Sequence, residues 1–367
     1  MRRHRNLYSQ IISFQNLLKA ARLSERCKRF KNSTARFNFF LEKELWNLHD
    51  ELANKTYKPG EYHHFLIFEP KKRIISAAPY RDRVVHHAIH NILEPIFDPV
   101  FIHDSYATRK GKGTHAAINR FQEFARKTKY TLKCDIRQYF PSIDHDILLS
   151  LIRKKIACND TLWLIKKILT TDFACHPISN QQSAISNQQS AISNQQSAIS
   201  NQQRTGIPIG NLTSQFFANI YLNGLDHFIK EGLGCRYYLR YMDDFMILHD
   251  DKDFLWLVKM EIQKYLQALH LELHENKCRI FRTRNGIPFL GLMVSPDWRR
   301  LKRANVIRFK QRLKRFQTLY GKGAIEWKRI NQSVQSWIGH AKHANTTKLR
   351  GLILPEVVFK RGNVKGD

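Results

Sequence analysis

Apolar residues recur at helical spacing over residues 10–55. Ile11, Ile12, Phe14, Leu17 and Leu18 share one face, and Phe37, Phe40, Leu41, Leu45 and Leu48 repeat the pattern. Lys58-Pro59-Gly60 then reads as a turn. His63 to Phe68 is a short strand candidate, followed by the basic run Lys71, Lys72, Arg73 and by Ile74 and Ile75. An amphipathic segment runs from Asp82 to about Leu93, and Gly111-Lys112-Gly113 marks another loop. Tyr130 to Asp135 alternates as a strand, with Tyr130, Leu132 and Cys134 on one side. Helical periodicity resumes from Asp144 to Leu169. Arg236 to Met246 reads as strand, turn, strand around Asp243-Asp244, Phe254 to Leu271 as a helix, and Pro288 to Gly291 as a short strand and turn. Arg303 to Lys348 is basic and helical, with Phe309, Leu313, Phe316 and Leu319 as its stripe.

One stretch departs from these patterns. The heptad Ile178 to Ala184 recurs from Ile185 and from Ile192, with a truncated copy at Ile199–Gln203. A coiled-coil seam needs two large apolar residues per heptad, and each copy has one. The reading is a disordered tandem-repeat insertion, 178–203, in a surface loop.

Composition then narrows the function. Hydrophobic residues make up 43% of the 367-residue chain, enough for a sizeable core. The 61 Lys and Arg against 31 Asp and Glu give a formal charge of +30, a field that attracts polyanions, so nucleic acid is the expected partner. The six cysteines form no C-x-x-C pair, which leaves zinc modules unsupported and suits a reducing compartment. Ser9, Gln10, Ser13 and Gln15 interrupt any signal-type apolar run, so neither a leader nor a membrane span is expected, and the location expected is cytoplasmic.

The candidate chemistry lies in three aspartates. Nucleotide addition to a primer is phosphoryl transfer, commonly served by two divalent metal ions about 4 Å apart on hard oxygen ligands. Tyr241-Met242-Asp243-Asp244 lies between the apolar runs Tyr237-Tyr238-Leu239 and Phe245-Met246-Ile247-Leu248, which places an acidic pair at a hairpin turn. Two adjacent charges at a buried tip repel each other without a cation, so a metal explains them; a solvated surface turn is the alternative. Asp135 supplies a third acid at the end of another strand, in Lys133-Cys134-Asp135-Ile136-Arg137-Gln138-Tyr139-Phe140. Phe140 fits either ordinary core packing or a steric block against a sugar 2′-hydroxyl.

In this order, Asp135 with Phe140, Ile207-Pro208-Ile209-Gly210-Asn211-Leu212-Thr213-Ser214-Gln215, Tyr241-Met242-Asp243-Asp244, Lys277 and Phe289-Leu290-Gly291 resemble the palm motifs of reverse transcriptases. The resemblance implies an α+β right-hand polymerase of fingers, palm and thumb. Its palm is an antiparallel sheet backed by helices, and its thumb is helical. The expected division is an N-terminal helical extension (1–58), fingers (59–132), palm (133–292, with the insertion at 178–203 and its second motif at 205–225) and a basic thumb (293–367). It also implies RNA-directed DNA polymerase activity with two Mg2+ ions, Mn2+ being a substitute, held by Asp135, Asp243, Asp244 and the Ile136 carbonyl. Lys277 matches a lysine near the pyrophosphate, a candidate general acid; a solvated helix-end lysine is the alternative. Phe289, Leu290 and Gly291 match the primer grip. Phe140, Ile209, Gly210 and Gln215 line the expected dNTP site, and Lys71 and Arg73 match a triphosphate-holding pair. Binding of template RNA is the alternative for those two cations, and Lys72 is an equal candidate for the first of them. Arg83 and Arg109 fit either template tracking or support of the finger fold.

Most reverse transcriptases carry Gln where this chain has Ile209 and Pro where it has Gln215. That departure, with Ser76 to His87 and Ser336 to His343, resembles the enzymes of diversity-generating retroelements. The implied function is error-prone copying of a template-repeat RNA for mutagenic retrohoming. The implied partners are template RNA, primer and nascent cDNA, dNTPs and a small basic accessory variability protein. The alternatives are a group II intron maturase-like, retron-like or abortive-infection enzyme, or a non-catalytic RNA-binding platform. No RNase H, integrase or zinc endonuclease module is expected beyond the thumb.

Overall fold

A computed structural model describes residues 3–68, 73–170 and 205–361. The heptad repeat 178–203 and Lys71 lie outside the described residues. The periodic segment at 10–55 is resolved into four helices, Tyr8–Ile12, Phe14–Ser24, Asn32–Phe39 and Leu41–Ala53, rather than one continuous rod. Ser13 makes one of the breaks: its hydroxyl accepts from the Asn16 N–H, capping the helix that follows. Leu17, Ala20 and Ala21 of that helix pack on the helix Tyr80–Phe97, the long amphipathic segment expected around Asp82.

β1 (His63–Ile67) and β2 (Arg73–Ala77) form an antiparallel hairpin that stands largely exposed. The central sheet is antiparallel, in the order β4 (Tyr237–Tyr241), β5 (Asp244–His249), β3 (Tyr130–Asp135), β6 (Arg279–Arg282). Its register pairs Leu132 with Ile247 and Cys134 with Phe245 on β5, and Leu132 with Ile280 on β6. The side-chain period of two therefore sends Leu132, Cys134, Phe245 and Ile247 into one core, shared with the helices Leu212–His227 and Lys252–Gln267. This is the expected antiparallel palm backed by helices. A small third sheet, β7 (Ile287–Phe289), β8 (Leu292–Val294) and β9 (Arg299–Leu301), carries a second core with the helix Thr114–Ala125.

The expected helix over 144–169 is two, His145–Arg153 and Asn159–Leu169. Asp144 caps the first by accepting from the Asp146 and Ile147 N–H groups, and Ile156 leaves the helical path to bridge His4. The basic tail likewise divides into Arg303–Gly321, Trp327–Ala341 and Thr347–Ile353. Phe309 and Trp337 stack at 3.8 Å to hold the first two together. These helices reach the β7–β8 turn: Asn305 Nδ2 donates to the Gly291 carbonyl at 3.2 Å. A Cβ at Gly291 would lie 3.2 Å from the His340 ring, and its φ of +91° is one that glycine adopts without penalty.

Candidate active site

The β3–β5 register sets Asp135 directly opposite Asp244, at the ends of two neighbouring strands. β4 and β5 pair Tyr241 with Asp244, so Met242 and Asp243 form a two-residue turn. Met242 has φ +58°, the positive value that tight hairpin turns use to match strand twist. Asp243 is thereby carried to the tip, where its carbonyl accepts from the Ile136 N–H at 3.3 Å. Asp135 and the adjacent pair Asp243-Asp244, from two distant segments, are thus brought to the same end of the two inner strands.

Burial governs their electrostatics. It lifts the Asp244 carboxyl to about 6, opposed by Lys133 and reinforced by the charges of Asp135 and Asp243. Asp243 is also raised by burial and by the charge of Asp135, against the pull of Arg73 and Lys277. Two lysines act as counter-charges. Lys277 donates to Asp135 Oδ1 at 2.6 Å, and Lys133 lies 3.4 Å from Asp244 Oδ2. Asp244 Oδ1 is buried and has no hydrogen-bond partner. Among the described residues no three His, Cys, Asp or Glu side chains are already gathered as a cage for a metal ion. The donor chemistry nevertheless fits a hard divalent cation, because the acids are oxygen ligands and one buried oxygen has no hydrogen-bond partner.

Lys277 occupies a turn entering β6 rather than a helix end. Extending the β3–β6 register by two residues brings Cys134 beside Cys278, with Sγ atoms 2.9 Å apart, and Asp135 beside Lys277. Phe140 lies in the short helix Tyr139–Ser142, half-buried against the main core and edge-on to Tyr139. Ile209 is half-buried, and its carbonyl accepts from the Ser76 N–H at 3.0 Å, which ties this loop to β2. Gly210 has φ +129°, and a Cβ there would meet Ile75 Cγ2 and the Ser76 carbonyl at 3.0 Å. Glycine is required for that close approach. Gln215 is engaged by Thr108, whose hydroxyl donates to Oε1 at 3.1 Å. Arg73, on exposed β2, is near enough to Asp243 to lower its carboxyl. Phe289 is fully buried at the end of β7, and Leu290 and Gly291 form the turn after it at φ +42° and +91°.

Arg83 and Arg109 both make hydrogen bonds within the chain. Arg109 donates to the Asp98 carboxylate at 2.6 Å and to the Ile102 and Ser105 carbonyls, over the ring of Phe101, and so supports the fold. Arg83 is half-buried and donates to the Ala78 carbonyl at 2.7 Å. The motif reading missed Arg240 and Asp226. Both are fully buried and paired at 2.6 and 2.7 Å, and Arg240 also donates to the Met242 carbonyl at 3.1 Å, fixing the acidic turn from behind. A charged residue inside the apolar run Tyr237 to Tyr241 was the available signal. Lys133, two residues before Asp135, was missed for the same reason.

A family model described as reverse transcriptase (RNA-dependent DNA polymerase) matches residues 58–294, more than half the chain and every palm residue above. The chain belongs to the reverse transcriptase family. Its N-terminal helices and the C-terminal helices from Arg303 onward lie outside that match. Similar curated proteins include the group II intron-encoded protein LtrA of Lactococcus lactis, 26% identical over 52% of this chain and 29% of that protein. Protein YkfC of Escherichia coli is 23% identical over 68% of this chain and 70% of its own. The chain thus spans less than a third of the length of the Lactococcus protein. Among solved structures, apo telomerase from Candida tropicalis aligns with TM-score 0.46 and 13% identity over 76% of this chain and 56% of that one. No helix among the described residues of this reverse transcriptase is long and apolar enough to cross a membrane.

Proposed function

We propose that this reverse transcriptase is an active RNA-directed DNA polymerase that extends a primer on an RNA template with dNTPs. The observation that carries the reading is that Asp135, Asp243 and Asp244 lie together at the ends of the two inner strands, with a buried carboxylate oxygen left without a hydrogen-bond partner. Asp135, Asp243 and Asp244, with the Ile136 carbonyl, would hold Mg2+ or Mn2+. Two such ions, when bound, supply activation of the primer 3′-hydroxyl and neutralisation of the departing pyrophosphate. The chain's own groups do the rest. Arg73, beside Asp243, offers charge-assisted hydrogen bonds to the triphosphate. Lys277 is within proton-transfer reach of the acid cluster and serves as proton donor to the leaving group. Phe140 borders the sugar, and the turn Phe289-Leu290-Gly291 seats the primer end. The high positive charge holds template and product by their phosphates.

The finer reading is error-prone copying of a template-repeat RNA within a diversity-generating retroelement, assisted by a small basic accessory protein. Its support is Ile209, an apolar side chain where a hydrogen-bonding glutamine would police pair alignment, on a loop pinned to β2. The intron-encoded relatives favour a second reading, a group II intron maturase-like enzyme.

The test is primer extension on RNA with Mg2+ and dNTPs beside Asp243→Asn, followed by cDNA sequencing. Synthesis lost in the variant, with errors concentrated at template adenines, supports both levels. Rare, evenly spread errors keep the polymerase and move the assignment to the maturase-like reading. RNA binding without synthesis by the unaltered chain, even with the accessory protein added, overturns the polymerase reading.

A further inference from the structure

The Lys133 side chain spans two parts of the site that are far apart in sequence. Lys133 lies on β3 two residues before Asp135, hence on the same face of the strand. Its ammonium donates to the Pro288 carbonyl on β7 at 2.6 Å and lies 3.4 Å from Asp244 Oδ2 on β5. Pro288 belongs to the strand that leads into the Leu290-Gly291 turn. The side chain is 15% exposed, so both contacts are made largely out of water, where a charge-assisted hydrogen bond is worth most.

The consequences for Asp244 are directional. Lys133 engages Oδ2 only, and the other oxygen, Oδ1, is the buried one with no partner. One oxygen is thus anchored while the second is kept free. The acceptor on β7, the Pro288 carbonyl, lies at the middle of this short three-residue strand. The central sheet and β7 also share apolar packing, with Leu239, Met246 and Leu248 in one cluster with Ile287 and Phe289, and Lys133 adds a polar tie to that contact.

We infer that Lys133 is a positioning residue that ties the Asp244 carboxylate to the primer-grip strand, so that the primer end and the second acid of the hairpin are set relative to each other by one ammonium group. The inference deepens the polymerase reading and rests on it for its catalytic consequence, while the tie itself is a property of the protein alone.

The test uses the full chain with Lys133→Met, which keeps the aliphatic stem and removes the ammonium, and Lys133→Arg, which restores a cation able to reach both acceptors. Hydrogen–deuterium exchange by mass spectrometry is read first, without substrate. In Lys133→Met, peptides covering 286–294 and 243–246 should exchange faster together by about tenfold, the loss expected for one charge-assisted hydrogen bond. Peptides from the helix Tyr80–Phe97 should be unchanged, and Lys133→Arg should recover most of the protection. Primer extension is read second. Lys133→Met should lower kcat at least tenfold with the KM for dNTP and the Kd for primed RNA within about twofold, and Lys133→Arg should regain a substantial part of kcat.

Unchanged exchange at either 286–294 or 243–246 overturns the tie. Faster exchange across the whole chain overturns it too, since that marks general unfolding. A normal exchange coupling with equal kcat in all variants overturns the positioning role. An unaltered chain that makes no DNA, yet shows the coupled exchange, removes the polymerase reading and leaves the tie standing, so the two failures are distinguishable.

Discussion

Two carboxylates on opposite sides of the same hairpin, Asp226 fully buried and Asp244 half-buried, are treated very differently. Asp226 receives both arms of Arg240 and the Tyr238 hydroxyl, at 2.6–2.7 Å, and every charge there is matched. Asp244, at the start of β5, has one lysine at 3.4 Å on one oxygen and nothing on the other. Folding alone favours the first arrangement, because an unsatisfied buried charge is costly. The second persists where a ligand can complete it. The contrast separates an acid that holds the fold from the acids to which the proposed function assigns the chemistry.

The largest expected effect comes from the unsatisfied side. Asp243→Asn should reduce DNA synthesis by about 10⁴-fold, ~5 kcal/mol of transition-state stabilisation, as metal-ligand loss removes several kcal/mol. Its melting temperature should equal or exceed that of the parent. A retained rate would break the comparison, since Asp243 would then be only a turn residue.

Arg240→Met attacks the satisfied side. It leaves Asp226 buried without its cation and should cost about 4 kcal/mol of stability, read by denaturant unfolding. The Met242 carbonyl also loses its donor, so synthesis should fall with stability. A stable, folded variant would show that the pair serves specificity rather than stability.

The pH dependence sharpens the contrast further. The Asp244 carboxyl is raised in the folded chain to about 6, mainly by burial. A raised acid contributes stability that is fully present below its unfolded value near 4 and is lost as pH climbs through 6. For the metal-free protein this amounts to about 3 kcal/mol at most. Unfolding measured at pH 4 and pH 7 should therefore show a loss in the parent that is smaller in Asp244→Asn, where raised Asp243 remains. Added Mg2+ at pH 7 should restore stability to the parent and not to the variant. Equal pH slopes in the two proteins would place the burden elsewhere.

The smallest effect belongs to Ile209→Gln. A restored hydrogen-bond check is worth about 1 kcal/mol, so the error frequency should fall only several-fold. Deep sequencing of the cDNA reads it, and an unchanged error spectrum would detach Ile209 from fidelity.

Much of the site was legible in the sequence. Asp135, Asp243 and Asp244 stood out because acids interrupt apolar strand patterns at strand ends, and ordered motifs joined them. The strands Tyr130–Asp135 and Tyr237–Tyr241 were legible because alternation is a local property. Helix breaks were not: Ser13, Ile156 and the Gly321–Gly323 region interrupt segments whose periodicity continues across them. Capping and tertiary contacts, not hydrophobic spacing, decide where such helices stop. Arg109 looked equally suited to RNA or to the fold until its four acceptors were placed around it.

By itself the sequence determined the family, the antiparallel alternation of the palm strands, the basic field and the three acids, because each is written in residue type and spacing. Only the tertiary structure decided which cation serves which acid. Lys133 with Asp244, Lys277 with Asp135 and Arg240 with Asp226 pair across 111, 142 and 14 residues of chain. Such pairings depend on strand register and on burial, and a one-residue slip in either sheet edge would send those side chains to the opposite face.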